Sequence, residues 1–326
     1  MTNRETTGNL FTFLVFFALM LTFAAVILSA WMRLENIGLG CEEWPDCFGE
    51  MPVVQARGVV PGTTAGAIHR FAATLLGLIV VAITVMALRG RRPAGIGLTA
   101  PLSVFGLTLF LSILGYNTPA PQLPVVTLGN LVGGMAMLAL LWWMGQRSVK
   151  KVSDEGTVEN TLRPWALLGL LMLAVQIALG ALTSANFAGP SCGVALFACD
   201  GDWGSITNLM QGLDPWRRLG VGDQGWIITD SVQKTLHMAH RLGALVTFLY
   251  LLGLALRALR LGKRFRSTSI SIIVFLLIQV GLGSSAVLAG LPLLLVTAHN
   301  AIAAMLLLAL VNLNHLLTPV VSNRGP

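Results

Sequence analysis

Charge is scarce in this chain. Asp, Glu, Lys and Arg together supply 11% of its 326 residues, less than half the share in soluble domains, about 25%. An ordinary water-facing surface is thereby excluded. No Arg- and Ser-rich transit segment opens the chain. No small-residue cleavage site followed by a soluble domain ends the first apolar run, from Leu10 to Trp31. That run is expected to stay in place as a signal-anchor helix. Cysteine is limited to four residues and histidine to five. No histidine falls in the loops that hold the cysteines, which argues against a cysteine–histidine metal site. Acidic residues are the rarer sign, 14 against 21 Lys and Arg, for a formal charge of +7. In so apolar a chain that excess is explained by cytoplasmic loops, and no nucleic-acid partner is implied.

What remains is apolar: 55% of the residues, with a mean hydropathy of +0.77. Such a composition predicts a polytopic membrane protein. Eight runs are long enough to cross a hydrocarbon core of roughly 30 Å as helices: 10–31, 67–88, 97–116, 124–145, 164–184, 235–256, 268–288 and 293–316. With both termini in the cytoplasm, fourteen Lys and Arg residues fall inside and seven outside, the bias expected of a bacterial inner-membrane protein. The long loops 32–66 and 185–234 then lie outside. A polar stretch at 146–163, centred on KKVSDEGTVEN, parts the chain into halves of four spans, 1–150 and 151–326. The halves repeat each other. Each has a two-cysteine outer loop that leads into a His-Arg helix, IHRFAATLLGLI and LHMAHRLGALVTFLY. Each has a fourth helix that opens on Val-Thr, VTLGNLVGGM and VTAHNAIAAM. The expected fold is all-α: eight transmembrane helices as two four-helix bundles related by a pseudo-two-fold axis.

Cys41 and Cys47 bracket CEEWPDC; Cys192 and Cys199 bracket CGVALFAC. On the outer side of a bacterial membrane, a disulfide within each loop is the economical reading, with free thiols as the alternative. His69, His240 and His299 lie toward the outer ends of their helices. Ionisable residues at membrane depth point to function. Two imidazoles at matched depth on facing helices are what a heme iron needs, whereas a lone histidine there reads first as a polar residue of the interface. His237, one turn before His240, either contacts a heme propionate or bound water, or sits at the interface. His315, near the cytoplasmic end of the last helix, reads as structural. Arg70 and Arg241 follow their histidines directly. Each suits a carboxylate such as a heme propionate, or snorkels to the interface.

Taken together, these features resemble the heme A synthase family over nearly the whole chain. CEEWPDC is similar to that family's C-x-D-W-P-x-C loop, and TSANFAGPSC to its counterpart in the second half. The resemblance implies oxidation of a methyl group of heme O to a formyl group, giving heme A for terminal oxidases. It implies a C-terminal bundle that holds heme b through His240 and His299. It implies an N-terminal bundle that binds heme O at a catalytic site through His69. Heme O synthase and oxidase assembly proteins are the partners it implies, besides membrane lipid. Two positions depart from the pattern. Where the family has a second histidine at the head of span four, Asn130 stands by the family register and Gly129 by the internal repeat. Where it has a glutamate one turn before His69, this chain has Gly66. An N-terminal half so altered admits a second reading: a heme b-binding membrane protein that acts in oxidase assembly or electron transfer. Phe13, Phe16, Phe17 and Phe23, with Gly133 and Gly134, are expected to shape an apolar cleft for the substrate heme in that half.

Overall fold

The computed structural model describes residues 3–36, 64–116, 124–149, 161–196, 198–220 and 228–318. Among them the regular structure is helical: α1 (Asn3–Asn36), α2 (Thr64–Leu88), α3 (Thr99–Tyr116), α4 (Pro124–Val149), α5 (Arg163–Ala185), α6 (Ile206–Leu213), α7 (Ser231–Leu259), α8 (Lys263–Leu288) and α9 (Leu293–Leu316). Each expected span is a helix. Seven are long and apolar enough to cross a membrane. The eighth, α3, is 18 residues long and rises about 27 Å, which makes it a shorter apolar helix rather than a full-length span. The helix α6 was not expected; it lies within what the sequence presents as one irregular outer loop. The cysteine pair Cys41–Cys47 and the polar stretch 150–160 lie outside the described residues.

Apolar faces point outward as well as inward. Leu167, Leu171 and Val175 of α5, and Leu242, Val246 and Leu249 of α7, are all exposed. Leucine and valine in such number on one surface require lipid rather than water as solvent. Most of the buried apolar residues form one cluster, which runs from Val15 of α1 and Leu138 of α4 to Ile272 of α8 and Leu310 of α9. Helix α1 packs on α2 and α4, and α3 on α2 and α4. Helix α7 packs on α5 and α8, and α9 on α8 and α5. Helices α4 and α1 also pack on α9, and α4 on α5. A polar chain crosses that seam: Gln146 of α4 donates to Asn312 Oδ1 of α9 (2.6 Å), and Asn312 donates to Thr268 Oγ1 of α8 (2.7 Å). Gly134 and Gly133 allow close helix approach: a Cβ would stand 2.9 Å from Val26 of α1 at the first and 2.8 Å from Leu111 of α3 at the second.

Two of the four phenylalanines expected in a cleft are elsewhere. Phe13 and Phe17 stack on each other on the outer face of α1, 63% and 39% exposed. The face opposite them carries the buried Phe11, Val15, Ala18 and Leu19, and helical periodicity puts residues four apart on one side. Phe16 packs edge-on against Trp142.

The head of α7 is held firmly. Asp230 caps it, accepting from Gln233 N–H at 3.0 Å, while Gln233 Oε1 accepts from Asp230 N–H at 2.9 Å, a reciprocal pair that satisfies two helix-end donors. Arg217 forms an ion pair with Asp230, and Gln233 donates to the carbonyl of Asn186 just past α5 (2.8 Å). Cys192 and Cys199 form a disulfide, Cα atoms 4.5 Å apart, that packs on Met238 of α7. Helix α6 lies on the same region, with Gly212 against Leu236. Outside the C-terminal half, the turn after α6 reaches α4, where Val125 N–H donates to Pro215 O (2.8 Å).

Candidate functional site

Helices α5, α7, α8 and α9 line a cavity of about 460 Å³ whose walls are mostly apolar side chains, Leu173, Ile177, Phe248, Leu276 and Val296 among them. Its volume falls within the range of cofactor and ligand sites, about 300–1,000 Å³. His240 of α7 and His299 of α9 both line it. The four helices do not close it alone: Leu34 of α1 and Leu131 and Met135 of α4 complete the wall.

Each histidine is held by a glutamine and a glycine of a neighbouring helix. Gln176 Nε2, on α5, lies 3.0 Å from His240 Nδ1 and also donates to the His240 carbonyl (2.9 Å). Gln279 Nε2, on α8, lies 3.0 Å from His299 Nε2. One turn further along the same helices, Gly180 and Gly283 make room for the rings. A Cβ at Gly180 would stand 2.9 Å from His240 Cε1, and one at Gly283 2.9 Å from His299 Cε1. Sequence reasoning missed these four residues. The signal was present as a glutamine inside an apolar run followed four residues later by glycine, QIALG and QVGLG. Amides at membrane depth need partners.

Arg241 and His237 work together. Arg241 Nε donates to His237 Nε2 (3.1 Å), across one helical turn. Its Nη1 donates to the carbonyls of Ala195 (2.5 Å) and Leu196 (3.1 Å), both inside the Cys192–Cys199 loop. The remaining nitrogen, Nη2, is buried without a partner. Arg241 and His237 both line the cavity, and His237 is 5% exposed. The disulfide loop thus shapes the carbonyls that aim the guanidinium.

The N-terminal residues are not brought to this cavity. His69, half-buried, and Arg70, exposed, lie on the second turn of α2, with Gly66 one turn before. Arg70 and Arg241 look alike in sequence but differ in setting: Arg241 is tied to its disulfide loop, whereas Arg70 is an exposed side chain. Asn130 is half-buried on α4, next to Leu131 of the cavity wall. Gly129, which the repeat aligns with His299, faces α3, where a Cβ would stand 2.6 Å from Leu114 Cδ1. Large and small are exchanged between the halves: Gly283 makes room for His299, while Leu114 packs on Gly129. His315 is 9% exposed on α9 and takes no part in the cavity wall.

Fold and cavity define a multi-pass helical membrane protein with a histidine-walled chamber between its C-terminal helices. The sequence profile of the cytochrome oxidase assembly proteins matches residues 63–311. A heme A synthase of Shewanella oneidensis is 32% identical over 323 residues, covering 94% of this chain and 96% of that protein. The chain belongs to this family of cytochrome oxidase assembly proteins, the heme A synthase family.

Proposed function

We propose that this protein is a heme A synthase that oxidises a methyl group of heme O to a formyl group, with heme b as its resident cofactor. The observation that carries this reading is the convergence of His240 and His299 from α7 and α9 on one apolar cavity. The cavity suits heme in three respects. Its two imidazoles come from different helices. Gly180 and Gly283 keep those rings free of side-chain crowding. Arg241 Nη2 and Ser184 Oγ are buried at its wall without partners, and an unmet guanidinium N–H suits a carboxylate. Bound heme would supply one-electron chemistry. The chain's own part is to ligate through His240 and His299, to hold a propionate at Arg241, braced by His237, and to keep water out with leucine, valine and phenylalanine walls.

The substrate heme belongs, on this reading, to the N-terminal half. His69 is its one imidazole ligand, and Asn130 stands near the opposite face without a strong iron bond. Two four-helix bundles, 1–150 and 151–326, related by a pseudo-two-fold axis, account for the packing: α1, α2, α3 and α4 close one ring of neighbours and α5, α7, α8 and α9 another. The distribution of Lys and Arg supports an inner membrane location with both termini in the cytoplasm. Heme O synthase and oxidase assembly proteins are the fitting partners.

The test is pigment analysis in a bacterial host that makes heme O. Hemes extracted from membranes carrying the wild-type protein should include heme A, and the purified protein should show a low-spin b-type spectrum. His69→Ala should remove heme A and leave that spectrum intact. If the wild type yields no heme A and His69→Ala leaves the pigments unchanged, synthesis is refuted, and a heme b-binding role in oxidase assembly becomes the better account.

A further inference from the structure

We propose that Gln176 and Gln279 are positioning residues for the two cavity histidines: each amide takes one ring nitrogen and thereby dedicates the other to iron. The inference rests on the heme reading of the cavity. Its foundation is a geometry that occurs twice. On α5 and again on α8, a glutamine lies 3.0 Å from a ring nitrogen, Nδ1 of His240 and Nε2 of His299. The glycine one turn later receives Cε1 of the same ring. One helix face supplies both the polar contact that sets the ring's rotation and the gap that lets the ring lie close. Gly243 of α7 adds a third element, because a Cβ there would stand 2.5 Å from Gln176 Oε1; its absence lets the amide reach its place.

The unmet atoms support this reading. Gln176 Oε1 and Gln279 Oε1 are both buried without a partner, and an orphaned carbonyl in an apolar interior costs about 1–3 kcal/mol. An amide keeps its shape when turned by half a revolution, so either end can meet the ring. A neutral imidazole that gives one nitrogen to iron carries its proton on the other. With the Gln279 amide turned, that N–H donates to the glutamine oxygen, and the unmet acceptor becomes satisfied; at Gln176 the same turn exchanges the Nε2 bond to the His240 carbonyl for an acceptor at the ring N–H. Ligation of iron and an acceptor for the ring N–H are thus one arrangement, as when the second nitrogen of a metal-bound histidine donates to a carbonyl or carboxylate.

Among the described residues, no such brace is seen beside His69 in the first half. Neither α1 nor α3 contains a glutamine, so His69 has no counterpart to Gln176 on the first helix of its own half. A clamped histidine pair keeps a resident group. A histidine without that clamp suits a ligand that must arrive and leave.

The purified protein in detergent tests this by potentiometric titration of its low-spin heme and by heme retention during dilution. Gln176→Leu and Gln279→Leu should each raise the midpoint potential, because an imidazole without a hydrogen-bond acceptor is a poorer donor to ferric iron. Retention should fall by roughly 10- to 100-fold, as for other residues that orient metal ligands. Gln176→Glu and Gln279→Glu, equal in shape and stronger as acceptors, should keep the low-spin spectrum and move the midpoint below wild type. If a leucine variant is not recovered folded, Gln→Met removes the hydrogen bond at similar length and carries the same expectation. Packing alone would move the Leu and Glu variants in one direction, and that result overturns the proposal. So does a wild-type midpoint and retention in all of them. Absence of any low-spin heme in the wild type would instead refute the heme reading beneath it.

Discussion

Two glycines on one helix separate the ligand-bearing wall of the cavity from its lipid-facing side. Gly281 and Gly283 are two residues apart on α8. A Cβ at Gly281 meets nothing within 4 Å, whereas one at Gly283 would stand 2.9 Å from His299 Cε1. Carbon atoms sit at about 3.5 Å or more in contact, so Gly283→Ala drives the ring back by roughly 0.6 Å. The ring cannot retreat freely, because Gln279 holds it at 3.0 Å. Overpacking of this kind costs about 1–3 kcal/mol. If that cost falls on the bound state, heme affinity drops by roughly 5- to 150-fold. Gly281→Ala has the opposite sign: its methyl enters open space, and the helix regains up to about 1 kcal/mol of propensity. The assay is heme content and low-spin absorbance of the two variants purified in parallel, with thermal unfolding in detergent as the measure of fold. Gly283→Ala should lose heme while remaining folded, and Gly281→Ala should match or exceed wild type in both. Equal heme content in the two variants would refute the argument that His299 is the residue this glycine serves.

Further outcomes follow from the same geometry. His240→Ala and His299→Ala should each abolish the low-spin b-type spectrum, whereas His315→Met, on the same helix but away from the cavity, should leave it unchanged; a full low-spin spectrum in His299→Ala would remove the ligand assignment. Replacing Cys192 and Cys199 together by serine should destabilise the outer loop by about 2–3 kcal/mol, the value for so short a bridged segment. It should also weaken heme retention, because Arg241 is aimed by carbonyls inside that segment; thermal unfolding and heme retention, each compared with and without reductant on the wild type, measure the two effects. Asn130→His should convert a high-spin signal from the N-terminal half to low-spin in the difference spectrum. Asp230→Ala should cost about 1–2 kcal/mol through loss of the α7 cap, read as a lower midpoint of thermal unfolding.

The eight apolar helices and their order, and the histidines on two of them, were legible in the residues themselves, whereas α6 was not. A run of about twenty apolar residues has few choices in a bilayer, where every backbone N–H and C=O must be satisfied within the helix. A charged or imidazole-bearing residue inside such a run is costly enough to announce itself. His240 and His299 stood out for that reason, and the cysteines by their pairing within outer loops. Gln176 and Gln279 were equally intramembrane but uncharged, and their meaning lay in which ring each meets across a helix interface. That depends on the rotation of α5 against α7 and of α8 against α9, which no single helix encodes. Rotation also decided that Phe13 and Phe17 face outward and that Gly129 faces Leu114. It separated Arg241 from Arg70, alike in sequence, by folding the disulfide loop over the first. Local pattern determined what crosses the membrane. Packing between helices decided which polar atoms meet, because a contact between helices belongs to two distant stretches of chain at once.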